Sequence, residues 1–129
     1  MRNVLVSFAQ YIQDSGFGTI GANIFTESFP SSPVKAIAVL PAGGAVISPA
    51  IDMISVMIQV RDKSSDDADN LSSQIWILMN DAWNILTAIP GHVETGSLPN
   101  LMRDANNFPI YTFNAEIKTT AFKKGGLYG

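Results

Sequence analysis

The side chains best suited to chemistry in this 129-residue chain are few and scattered. The single histidine, His92, follows a Pro90-Gly91 break. No serine, carboxylate or second histidine is placed by the sequence to orient it as a general acid or base, so it reads as a surface loop residue. Asp66, Asp67 and Asp69 offer oxygen ligands of the kind a divalent cation takes. Their spacing does not follow a calcium loop, whose ligands alternate around a required glycine. It suits the first turn of a helix, where carboxylates meet exposed amides and the positive end of the helix dipole. Gly16, Gly18 and Gly21 superficially match a dinucleotide fingerprint, but they follow a helical segment and no βαβ unit comes after them. Gly43-Gly44 is not followed by the lysine-serine or lysine-threonine pair of a phosphate loop. The absence of cysteine excludes disulfides, thiol catalysis and cysteine-ligated metals. The reading is of a non-enzyme with no cofactor and no metal.

The elements that position these residues are organised around residues 54–83. On the strand that opens this stretch, Ile54, Val56, Ile58 and Val60 occupy one face. Met53, Ser55, Met57, Gln59 and Arg61 occupy the other, which is mixed rather than plainly solvated. A turn through Arg61, Asp62, Lys63 and Ser64 leads into a helix capped by Ser64 or Ser65 and running to Trp83. Leu71, Ile75, Leu78, Ala82 and Ile85 recur at spacings of three and four and predict its core stripe.

Before this unit, residues 1–14 read as an amphipathic helix with Val4, Leu5, Phe8, Tyr11 and Ile12 on one side. Gly16 is suited to a left-handed stop after its last turn. A strand is expected over residues 23–29, at a sheet edge, and a second over 34–40, ended by Pro41-Ala42-Gly43-Gly44. The uncharged residues 41–50 then form either a floppy hairpin tip or a projecting arm. After the helix, the pattern weakens from His92 to Arg103, with a strand only over 98–103. Asp104-Ala105-Asn106-Asn107 is a turn, and residues 110–120 form a strand with Tyr111, Phe113, Ala115 and Ile117 on one face. The prediction is one α+β domain over residues 1–122. It has a mainly antiparallel sheet, an N-terminal helix and one long central helix packed on one face, and a C-terminal β-hairpin. Residues 123–129, with Lys123 and Lys124, form a flexible basic tail.

Composition bears on partners. The chain is 47% apolar and only 15% charged, so its surface must include uncharged area suited to burial against other subunits. A net charge of −3 argues against non-specific nucleic-acid binding. No signal peptide or membrane span is evident, and a soluble protein made in a cytoplasm is expected. No lysine or arginine occurs between Ser64 and Met102, whereas Arg61, Lys63, Lys118, Lys123 and Lys124 lie on either side. This separation is either dipole stabilisation with a solvated face or a pair of complementary edges that meet between identical subunits. Trp76 and Trp83, seven apart and flanking the stripe, either widen the core or anchor a subunit contact.

Phe29-Pro30, the run AIAVLPAGG with Gly43-Gly44, the strand end Ile58-Gln59-Val60-Arg61, the helix to Trp83 and the strand from Tyr111 to Lys118 resemble one family. They are similar to the small minor capsid and tail-terminator (tail-completion) proteins of long-tailed bacteriophages. The resemblance spans most of the chain, matches poorly over residues 89–99, and implies a non-enzymatic virion component assembled in the host cytoplasm. It further implies a homo-oligomeric ring, typically a hexamer, at the head-proximal end of the tail tube, which stops tube polymerisation and joins the head connector. The implied partners are the chain itself, a tail-tube protein and a head-connector protein. Arg61, Lys63, Asp66, Asp67, Asp69, Trp76, Trp83, Gly43, Gly44, Lys123 and Lys124 are the candidate interface residues. Another neck or tube role, or a small ligand-binding α+β domain, is the alternative.

Overall fold

Alternating apolar residues in two strands account for the centre of the architecture. A computed structural model describes residues 2–48, 51–80, 82–83 and 92–119. Strand β3 (Ile51–Arg61) lies between β2 (Ala36–Ser48) and β7 (Pro109–Thr119), antiparallel to both. The register sets Ile54 opposite Ile117, Val56 opposite Ala115 and Ile58 opposite Phe113. All six side chains are buried. Ile37 and Val39 of β2 continue the same face, because they stand opposite Val60 and Ile58. With β1 as Ile24–Phe25, β4 as Ala82–Trp83 and β5 as His92–Thr95, sheet order is β1-β2-β3-β7-β5-β4, and β6 (Asn100–Arg103) pairs β7 beside β5. Every described pairing is antiparallel except that of β1 (Ile24–Phe25) with β2.

Both helices pack on the face that carries this apolar layer. Helix α1 (Arg2–Asp14) places Val4, Leu5, Phe8, Ala9 and Ile12 in the core, at spacings of one, three and four that gather them on one side. Full burial of Phe8 contributes about 1.5–3 kcal/mol. Gly16 ends the helix in the left-handed region at φ +90°, where a side chain would be strained.

Helix α2 (Ser65–Met79) starts at Ser64, whose extended backbone and Oγ, 3.2 Å from the Asp67 amide that donates to it, form the N-cap. Its buried line is Ala68, Ser72, Ile75 and Met79, with Leu71 and Leu78 half-buried. The core stripe is therefore rotated from the one that runs through Leu71, Ile75 and Leu78. Ser72 can lie in it because its hydroxyl donates to the Asp69 carbonyl.

Four further expectations are corrected. The central helix ends at Met79, not Trp83. Asn80 takes an extended conformation, and its Oδ1 accepts a hydrogen bond from Thr95 Oγ1 at 2.9 Å, which ties the helix end to β5 (His92–Thr95). Ala82 and Trp83 form β4 against β5, and Ile85 lies outside the described residues. Strand β2 does not stop at Pro41; it continues through Gly43 and Gly44 to Ser48, with register shifts that absorb the irregularity. Proline is tolerated there because its nitrogen can face a side of the strand with no partner. The strand expected over residues 23–29 is only the two-residue β1, and β5 occupies part of the segment where no strand was expected. The C-terminal hairpin is present as β6 and β7. Asp104 Oδ1 accepts from the Asn106 and Phe108 amides in its turn, and Asn107 adopts φ 66°.

Candidate functional site

The junction between β3 and α2 gathers several candidate residues and divides them into two kinds. Arg61 closes β3 and is only 4% exposed. Its Nε donates to the Val34 carbonyl at 2.9 Å, and Nη2 donates to the carbonyls of Pro30 at 2.6 Å and Pro33 at 2.8 Å. Nη1 lies 3.4 Å from Asp104 Oδ2, and the guanidinium carbon sits 4.7 Å from the centroid of the Phe29 ring. The forked head thus ties the proline-rich connection before β2 to the β6–β7 turn. Loop carbonyls that no strand partner can reach are satisfied by one buried cation. Arg61 is therefore corrected from a candidate subunit contact to a clamp inside the subunit.

Two residues later, Lys63 points to solvent and lies 4.0 Å from Asp67 Oδ2, an exposed pair of small energetic weight. Asp66 and Asp69 are exposed, and Asp69 Oδ1 accepts from Ser73 Oγ at 3.2 Å. Among the described residues no three histidine or carboxylate groups converge as a metal site. Beside the helix start, a depression of about 340 Å³ brings Lys35 together with Asp62 and Asp67. Lys35, just before β2, was not singled out by sequence, since only the fold brings it beside Asp62 and Asp67.

The remaining candidates disperse. Trp76 is half-buried on α2 and packs against the core, and its indole Nε1 is buried without a hydrogen-bond partner. Trp83 belongs to β4, so the two tryptophans do not share a helix face. Gly43 and Gly44 are residues of β2, where Gly44 stands opposite Ile54. Lys123 and Lys124 lie outside the described residues. His92 is a strand residue on β5, its Nδ1 3.7 Å from Glu94 Oε1, and not a loop residue.

A second region was missed. Every residue of β6 is exposed, including Leu101 and Met102, and Leu98 just before it is 69% exposed. The signal lay in Leu98, Leu101 and Met102 themselves, which have no periodic partners nearby in sequence. Among the described residues no helix is long and apolar enough to cross a membrane. No curated protein matches the sequence. The family model described as bacteriophage tail terminator protein matches residues 11–121.

Proposed function

The chain belongs to the bacteriophage tail terminator family and is a structural protein of the phage tail; on that premise we propose that it forms a ring, a hexamer, at the head-proximal end of the tail tube. The ring stops further tube polymerisation and gives the head connector its docking surface. The observation that carries this reading is the family match over residues 11–121. A low charged fraction of 15% and an all-exposed strand that carries Leu101 and Met102 support it, because both suit a subunit that buries surface against neighbours.

Termination follows from having two unlike faces. One annular face complements the last ring of tail-tube subunits, and the other presents no further tube-binding surface and meets the neck. Lys63, Asp66, Asp67 and Asp69 rim the subunit at the α2 start, and there they set which neighbour fits and in what register. The Gly43-Gly44 segment of β2, Trp76, Trp83, Lys123 and Lys124 complete the proposed contact set. Mass measurement in solution combined with electron microscopy tests the reading. Rings with a central hole are expected, alone or with tail-tube subunits. A protein that stays monomeric at high concentration in both settings overturns it.

A further inference from the structure

The sheet has two edges that end, among the described residues, without a strand partner. β1 pairs with β2 only at Ile37 and Ala38, so the outer side of β2 is open over residues 39–48. On the opposite side, β6 pairs with β7 along one edge and with no described strand along the other. Open edges are normally protected by inward charges, lysines or a covering element, because their free amides and carbonyls template further pairing. Neither edge here carries an inward charge or a lysine, although Pro41 and two register shifts interrupt β2 and β6 is only 4 residues long. Residues 36–51 contain no charge, and β6 carries only Arg103, at its end. On β6, adjacent side chains point to opposite faces. Leu101 and Met102, at 48% and 46% exposure, therefore leave apolar surface open on both faces of one strand. Nothing among the described residues accounts for that.

Strand polarity specifies how the two edges fit together. β2 is antiparallel to β3, β3 to β7, and β7 to β6, so β2 and β6 run in opposite directions. Subunits repeated head to tail around an axis keep one orientation, and they bring β6 of one subunit against β2 of the next as an antiparallel pair. Within a subunit, Asn100 is level with Thr112, Gln59 and Ala38, just below the open run of β2. Neighbours must then be offset along the strands by about four residues, or ~13 Å. A stagger of this sense arises whenever a sheet with tilted strands closes around an axis.

We propose that β2 of each subunit pairs with β6 of its neighbour, so that one β-sheet runs around the ring. The occupant of each edge is a second copy of this chain. The proposal rests on the ring reading above and assigns its subunit contact. Leu101 and Met102 bury against the two faces of the neighbouring β2, and the uncharged run of residues 39–48 supplies carbonyls and, except at Pro41, amides with no charge to desolvate.

The cysteine-free chain allows a direct test. Ala42→Cys is combined in the full chain with Asn100→Cys, Leu101→Cys or Met102→Cys, which samples offsets of about four to six residues, and each double variant is mildly oxidised. Directly opposed strand residues fall within disulfide reach. At least one pair is expected to give a reducible ladder of covalent oligomers ending at ring size, whereas single variants run as monomers on a denaturing gel. In parallel, Leu101→Asp with Met102→Asp is expected to abolish rings while the circular dichroism spectrum keeps its shape. Rings that survive the double aspartate variant overturn the edge pairing and leave the ring reading standing, and rings that form without any ladder overturn the proposed offset. Covalent dimers from Ala42→Cys alone overturn it in favour of β2 pairing with itself. A wild-type protein without rings, alone or with tail-tube subunits, overturns both readings.

Discussion

Arg61 and Met102 stand two ladder positions apart across the sheet, since Arg61 faces Ile110 and Ile110 faces Met102. Their environments invert ordinary expectation. The permanently charged residue is 4% exposed, and the apolar one is 46% exposed. Arg61 can be buried because five nearby groups engage it: the carbonyls of Pro30, Pro33 and Val34, the Asp104 carboxylate and the face of Phe29. Met102 has no such company among the described residues. Burial follows from the partners available at a position, and polarity alone does not decide it. A buried cation with four of its five N–H donors engaged marks a subunit's interior, and exposed apolar side chains on a short strand mark a surface made for something else.

The largest effect that sharpens this contrast is expected from Arg61→Ala. Three carbonyls and a carboxylate lose their donor, and unfolding in urea should show a loss of about 3–5 kcal/mol. Arg61→Lys should recover only part of it, because an ammonium cannot span these acceptors in fork geometry. Wild-type stability for Arg61→Ala would break the clamp assignment.

Helix α2 repeats the comparison within one element. Ile75 is fully buried and Ile77 is 68% exposed. Ile75→Ala should cost about 2–5 kcal/mol in the same measurement, and Ile77→Ala should stay within about 0.5 kcal/mol. Comparable losses at the two positions would mean that the helix is rotated. Ser64→Ala removes the cap on the Asp67 amide and should lower stability by about 1 kcal/mol, with Ser64→Asp restoring most of it. The smallest change is expected at Lys63→Ala, within about 0.5 kcal/mol in a thermal melt of the subunit, because its pair with Asp67 is open to solvent. A large destabilisation there would place Lys63 with Arg61 as part of the internal scaffold.

Legibility in the sequence followed the range of the interaction. Ile54, Val56, Ile58 and Val60 alternate, and so do Phe113, Ala115 and Ile117; both patterns state a buried face that the sheet then shows. The Ser64 cap, the left-handed Gly16 and the Asp104–Asn107 turn were equally readable, because each is settled within a few residues. Residues 71–85 kept an apolar helical rhythm past the point where the helix stops. Asn80 and β4 respond to β5, a strand built from residues further along the chain, so no local pattern could announce that end. Pro41 and the glycine pair signalled a stop for the same kind of reason. Turn residues can continue a strand when the hairpin partner β3 supplies the ladder and the other side is open.

Of the candidate site, the sequence disclosed the inventory and the structure disclosed the allocation. It showed that acidic residues open a helix, that basic residues flank it, and that the chain carries little charge. Arg61 and Lys63 were equivalent there, two cations at a strand end. What separated them was the arrival of residues 29–34 and Asp104 around one guanidinium, contacts that span between 27 and 43 residues along the chain. By itself the sequence determined the alternating strands, the two amphipathic helices, the glycine stop of α1 and the serine cap of α2, because periodicity and capping act over a few residues. Tertiary structure alone decided which cation is buried, where the central helix ends and which sheet edges stay open. Each of those depends on groups brought together from distant parts of the chain.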